Sequence, residues 1–161
     1  MSGIRIAVVG VGRMGLTHAE NLARRIRGAR LTAVTTSDEA RAAAVRGCCG
    51  AVAVYPDLDS LLNAGNVDAV CISSSTSAHA DNVEACAAAG VHIFCEKPLA
   101  LTVEDCDRAI AAAEGVDVVN LDDLATREAA AADPATFVSG PPPVCIDEYQ
   151  QVPDLLDSIK A

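Results

Sequence analysis

The sequence is poor in aromatic side chains, with no tryptophan, two tyrosines and two phenylalanines in 161 residues. A core without large rings has to close through Ala, Val, Ile and Leu, which requires helices to sit close on a sheet. Lysine is as scarce, present only as Lys97 and Lys160. There is no basic excess: the formal net charge is −10, which argues against nucleic acid as a partner. No apolar run is long enough to span a bilayer, and no basic segment precedes a cleavable apolar stretch. The expectation is a cytoplasmic protein with no membrane partner. The seven cysteines are odd in number and contain no C-x-x-C. They read as small buried hydrophobes, with the adjacent Cys48-Cys49 pair open to a redox reading. His18, His79 and His92 lack metal-ligand spacing, so no metal site is expected.

Apolar residues make up 51% of the chain, enough for the core of one ordinary domain. Strand-like and helix-like segments alternate with short links. Residues 4–9 are an apolar run interrupted only by Arg5, as in a strand buried on both faces. A helix is predicted over 14–27, with Ala19, Leu22, Ala23 and Ile26 on one face. Strands follow at 31–35, 51–54, 67–73 and 91–95, separated by helices at 39–46, around Leu58, Leu61 and Leu62, and at 80–89. Thr102, with Asp105 three residues on, opens another helix whose inner face is read as Val103, Cys106 and Ile110. This alternation predicts a doubly wound parallel α/β sheet of Rossmann type.

Four stations along the chain carry chemistry. Gly10-Val11-Gly12-Arg13-Met14-Gly15 is a G-x-G-x-x-G between a buried strand and an amphipathic helix. Gly10 permits the turn, Gly12 lets backbone approach a pyrophosphate, and Gly15 lets helix and strand close up. The first helical turn, starting at Arg13 and Met14, offers unpaired N–H groups to phosphate. The second station is Thr36-Ser37 at the end of the second strand, where an acid that holds the adenosine ribose is expected. Thr36 is neutral, Asp38 comes two residues late and suits a helix N-cap, and Arg41 is a candidate anion partner. The choice between NAD and NADP is therefore open. Third, Ser73-Ser74-Ser75 and His79 follow the fourth strand, where small hydroxyl residues can line a ribose or nicotinamide. Fourth, Glu96-Lys97-Pro98 follows the fifth strand, and Pro98 biases Lys97 toward an extended conformation.

Together these stations resemble the N-terminal domain of the Gfo/Idh/MocA oxidoreductases, over residues 4–114. Phe94-Cys95-Glu96-Lys97-Pro98-Leu99-Ala100 carries that family's Glu-Lys-Pro motif, and Ser74-Ser75-Thr76-Ser77-Ala78-His79-Ala80 is most similar to the inositol 2-dehydrogenase branch. The resemblance implies an NAD or NADP cofactor and a sugar or polyol substrate. It also implies that Lys97 hydrogen-bonds the reacting oxygen as the catalytic residue and that Glu96 lines the cofactor site. It further implies a second, larger domain supplying a catalytic His with a nearby Asp. The sequence has no His after His92, so the expectation is an enzyme domain weak or inactive alone, without the family's usual basis for oligomerisation. A non-catalytic dinucleotide-binding or regulatory module is the alternative.

Charge shifts after Glu114. Up to that residue there are 10 basic and 13 acidic residues; beyond it there are 2 and 9. Residues 115–161 are expected to form an appended tail, with a strand at 116–119, a helix at 121–132, an apolar run at 144–146 and a helix near 154–160. Asn120-Leu121-Asp122-Asp123 and Val144-Cys145-Ile146-Asp147-Glu148-Tyr149 resemble the Walker-B region of bacterial AAA-type ATPases. No G-x-x-x-x-G-K-[ST] accompanies them, so the tail has no triphosphate seat: Asp147-Glu148 read as two solvated acids at a strand end, with an ATPase relic as the weaker alternative, and the chain looks like a dinucleotide-binding domain at 1–114 fused to an incomplete second piece.

Overall fold

A computed structural model of the chain describes residues 3–113, 117–120, 124–133 and 144–147. Contacts divide it into two compact units, residues 1–114 and 115–161.

In the first unit, five strands make one parallel sheet: β1 (Ile4–Val9), β2 (Ala29–Thr35), β3 (Ala53–Tyr55), β4 (Ala69–Ile72) and β5 (His92–Cys95), in the order β3-β2-β1-β4-β5. Order reverses at β1, whose neighbours are β2 and β4. At such a switch point the connecting helices leave to opposite faces, opening a crevice beyond the carboxyl ends of the strands. The helices are α1 (Arg13–Arg24), α2 (Glu39–Cys49), α3 (Leu58–Asn63), α4 (His79–Ala88) and α5 (Val103–Ala112).

Strand alternation divides the core in two. Ala7 and Val9 of β1 join Ala33, Val70 and Ile72 beneath α3, α4 and α5, together with Leu61, Val83, Cys86 and Ala109. Val8 points the other way and packs with Val34, Cys71, Ala19, Leu22 and Val45 under α1 and α2. Aliphatic residues fill both layers, as the shortage of aromatics requires.

Local chemistry sets the element ends. Asp38, Asp57 and Thr102 cap α2, α3 and α5 by accepting first-turn N–H bonds. Gly65, at φ 63°, follows the end of α3. At the amino edge of the sheet, Arg5 forks onto Asp68, with Nη2 2.7 Å from Oδ1. That pair holds the Asp68 carboxyl at about 2, chiefly through the Arg5 side-chain hydrogen bond.

Three readings from the sequence need correction. On α1 the buried face is Gly15, Ala19 and Leu22, while Ala23 is exposed. On α5 the buried residue is Ala109, which joins the core cluster of Ala80, Val83 and Cys86 of α4 while Arg108 bonds Asp81; Val103 is 72% exposed and Ile110 47%. Among the cysteines, Cys71 and Cys86 are buried, and desolvation pushes both thiols up to about 12. Cys48, Cys49, Cys95 and Cys106 are only partly covered. The Cys48 and Cys49 sulfurs lie 3.4 Å apart as free thiols, and burial raises Cys49 to about 12.

In the second unit β6 (Asp117–Asn120) pairs in parallel with β7 (Val144–Asp147), with α6 (Leu124–Ala132) between them in sequence. The strand expected at 116–119 thus belongs to a separate two-stranded sheet. The helix expected near 154–160 lies outside the described residues.

Candidate dinucleotide-binding site

The turn between β1 and α1 is held from three sides. The Gly10 N–H donates to the Thr35 hydroxyl at 3.1 Å. Gly10 has φ 84°, and a Cβ there would stand 2.6 Å from the Ser74 Cα. A Cβ on Gly15 would stand 1.9 Å from the Gly10 carbonyl oxygen. Gly10 and Gly15 are therefore required by the protein's own packing. Gly12 differs: it has an ordinary extended φ of −68°, and a Cβ would meet nothing within 4 Å.

Gly12 is the N-cap of α1 and no side chain caps that end. The first-turn N–H groups, including those of Arg13 and Met14, have no intrahelical acceptor by helix geometry. With no side chain capping them and the positive end of the helix dipole behind them, they suit an anionic group. Both the Arg13 and Met14 side chains are exposed.

A groove of about 460 Å³ runs along this edge, lined by Gly10, Val11, Gly12, Thr35, Thr36, Ser37, Arg41, Pro56, Ser73, Ser74 and Ser75. It brings together the glycine turn, the end of β2 and the loop after β4. Thr36 is anchored through its N–H to the Tyr55 carbonyl at 2.9 Å, and its hydroxyl accepts from Asp38 N–H at 3.1 Å. The Ser74 hydroxyl accepts from Asn82 Nδ2 at 2.9 Å, and Ser75 and Ser77 share a hydroxyl bond of 3.3 Å.

His79 does not line this groove. It is 1% exposed, with Nδ1 3.0 Å from the Pro98 carbonyl and Nε2 3.2 Å from the Ser74 carbonyl. It ties the loop after β4 to the loop after β5 from below, which corrects its place among the groove-lining residues. Glu96, Lys97 and Pro98 continue from β5. Glu96 is half-buried, with its N–H on the Ile72 carbonyl, while Lys97 and Pro98 are exposed. The Lys97–Pro98 peptide is cis.

Sequence reasoning missed one pair. His18 Nε2 lies 2.5 Å from Glu96 Oε1, and its ring packs edge-on against Phe94 at 5.7 Å. The available signal was helical spacing, since His18 is one turn beyond Met14. Thr35 was also missed as the anchor of Gly10, because strand patterning treats it as one more β-branched core residue.

The residues fit a dinucleotide: an uncapped helix start, a glycine whose missing Cβ leaves approach space, and hydroxyl groups along the adjoining loops. Residues 4–121 match the Gfo/Idh/MocA model, described as an oxidoreductase family with an NAD-binding Rossmann fold. The chain belongs to this family. Myo-inositol 2-dehydrogenase of Thermotoga maritima is 43% identical over 116 residues, covering 72% of this chain and 34% of that protein. Inositol 2-dehydrogenase of an Arthrobacter species is 44% identical over 112 residues, covering 69% of this chain and 33% of that one. Among solved structures, scyllo-inositol dehydrogenase from Lactobacillus casei, with bound NAD(H) and scyllo-inositol, superposes with a TM-score of 0.65 at 34% identity. That match covers 68% of this chain and 32% of the other. The Gfo/Idh/MocA chain described here therefore spans about a third of the length of these relatives. Among its described residues no helix is long and apolar enough to cross a membrane, and no cluster of His, Cys, Asp or Glu could hold a metal.

Proposed function

We propose that residues 1–114 seat a nicotinamide dinucleotide in the groove and present it to a polyol of the inositol class. The observation that carries this is Gly12, where the absent Cβ leaves open space directly before an uncapped helix start. The first turn of α1, at Arg13 and Met14 over the tightly packed Gly15, takes the pyrophosphate. Thr36 and Ser37 take the adenosine ribose, and Ser73, Ser74 and Ser75 line the path toward the nicotinamide end. When bound, the nicotinamide accepts or donates a hydride at carbon.

Lys97 is the chain's candidate catalytic residue, a cation able to hydrogen-bond the reacting oxygen and favour the alkoxide that develops as its proton leaves. Glu96, braced by His18, holds the start of the Lys97 loop: its Oε2 accepts from the Lys97 N–H at 3.3 Å. His79 braces the same loop at Pro98. His79 is 1% exposed, its ring held between the Pro98 and Ser74 carbonyls, so this histidine positions loops rather than meeting a substrate. The polyol substrate rests on the inositol dehydrogenases that this chain resembles.

For residues 115–161 we infer a relic of an AAA-type ATPase. The parallel β6–β7 pair, with Asp147 ending β7, supports that reading, and without a phosphate-binding loop the relic lacks a nucleotide seat of its own.

Calorimetric titration of the 161-residue chain with NADH, NADPH and ATP tests this. Saturable binding of a dinucleotide and none of ATP is expected. Binding of ATP alone would overturn the assignment of the groove.

A further inference from the structure

The ribose end of the groove departs from what a plain NAD site requires. An acid at the end of the second strand normally accepts the ribose 2′-hydroxyl. Thr36 stands there, and it lines the groove while its own hydroxyl is engaged by the Asp38 N–H. The nearest acid, Asp38, is committed elsewhere: Oδ1 accepts from Ala40 and Arg41 N–H at 2.9 and 3.2 Å, and Oδ2 lies 3.4 Å from Arg41 Nε. It caps α2 and does not line the groove.

Among the described residues that line the groove, Arg41 is the only charged one. Its link to Asp38 uses Nε, which leaves the two terminal amino groups of the guanidinium, a planar fork that matches phosphate oxygens. Resting on the dinucleotide reading above, we propose that this chain selects the 2′-phosphorylated dinucleotide, with Arg41 gripping the 2′-phosphate beside the Thr36 and Ser37 hydroxyls. A 2′-hydroxyl entering this groove meets no carboxylate to donate to. A 2′-phosphate meets no lining carboxylate to repel it and one cation to pair with.

The Arg41 side chain is 58% exposed, so the preference is open to salt. Screening at about 0.5 M salt has a reach of only a few ångströms and weakens an exposed ion pair.

The test is a fluorescence or calorimetric titration of the full chain with NADPH, NADH, adenosine 2′,5′-bisphosphate and 5′-AMP. NADPH is expected to bind about tenfold tighter than NADH at low salt, the scale of a charge-assisted hydrogen-bond pair. The bisphosphate should likewise outbind 5′-AMP, and both ratios should shrink as salt is raised. Arg41→Gln should collapse the NADPH/NADH ratio toward one, and Thr36→Asp should invert it by placing a carboxylate at the 2′ position. Circular dichroism melts of both variants check that they fold. Equal binding of the two dinucleotides, or tighter NADH, overturns this proposal and leaves the dinucleotide site standing. Binding of neither overturns both.

Discussion

The three glycines of the turn separate folding from ligand binding, and their substitution can be worked through from the geometry. Gly15→Ala puts a Cβ 1.9 Å from the Gly10 carbonyl oxygen, a backbone atom that can clear it only if α1 lifts away from β1. Overpacking of that kind costs about 1–3 kcal/mol. At about 4 °C per kcal/mol for a domain of this size, the melting temperature should fall by roughly 4–12 °C. At Gly12 the Cβ of an added valine meets nothing within 4 Å, and φ of −68° is an allowed backbone. Its stability change should stay within about 1 kcal/mol, since a poorer N-cap is offset by a stiffer unfolded chain. Binding should behave in the opposite way. The valine occupies the space where a pyrophosphate reaches the α1 N–H groups, and losing one such charge-assisted bond costs about 2–3 kcal/mol, a factor of roughly 30–160 in affinity. Thermal melts by circular dichroism, run beside NADH and NADPH titrations, read both quantities. If Gly12→Val binds as tightly as the parent, or melts as low as Gly15→Ala, the division of labour argued here is wrong.

The purified 161-residue chain should not oxidise myo-inositol efficiently in an NAD(P)H-absorbance assay. General acid–base catalysis contributes about 10²–10⁴-fold, and His79 has both ring nitrogens on carbonyls; turnover of several per second that Lys97→Ala abolishes would show a working dehydrogenase in this chain alone. Asp38→Ala should cost about 1 kcal/mol through loss of the α2 cap without weakening NADH, whereas a drop in NADH affinity beyond about tenfold would place Asp38 on the ribose. Asp68 is held at about 2, below the usual carboxylate range, so its stabilising contribution is full above about pH 4 and is lost as pH falls toward 2. The melting-temperature gap between the parent and Asp68→Asn should accordingly close over that window, and a gap unchanged from neutral pH to pH 2 would remove Arg5–Asp68 as its source.

The order of strands and helices is legible in the sequence. Buried parallel strands read as apolar runs, and Gly, Asp and Thr mark the ends between them. The glycine turn was legible too, because a strand before it and an amphipathic helix after it leave little else for three glycines at that spacing to do. Apolar periodicity was less informative about which side of an edge helix is buried. It assigned Val103 and Ile110 of α5 to the interior, but Ala109 is the α5 residue buried in the core cluster with Ala80, Val83 and Cys86 of α4, and both larger residues stay outside. A period identifies an apolar stripe; the neighbour that arrives decides whether that stripe is covered.

By itself, the sequence determined the α/β alternation, the phosphate-binding turn, the neutral Thr36 where an acid is usual, and the shift in charge after Glu114. Each rests on residue type and near spacing, which the chain carries locally. Tertiary structure alone decided the rest of the site: that Thr35 holds Gly10, that His18 meets Glu96 across 78 positions, and that His79 fastens two loops instead of lining the groove. It also placed Arg41, a candidate anion partner in the sequence, on the wall of the groove, while the Asp38 cap of α2 is local and was legible in the sequence. These contacts join the loops and helices that follow strands brought together by the order β3-β2-β1-β4-β5, and hydrogen bonds of a few ångströms exist only once that order has brought their partners together.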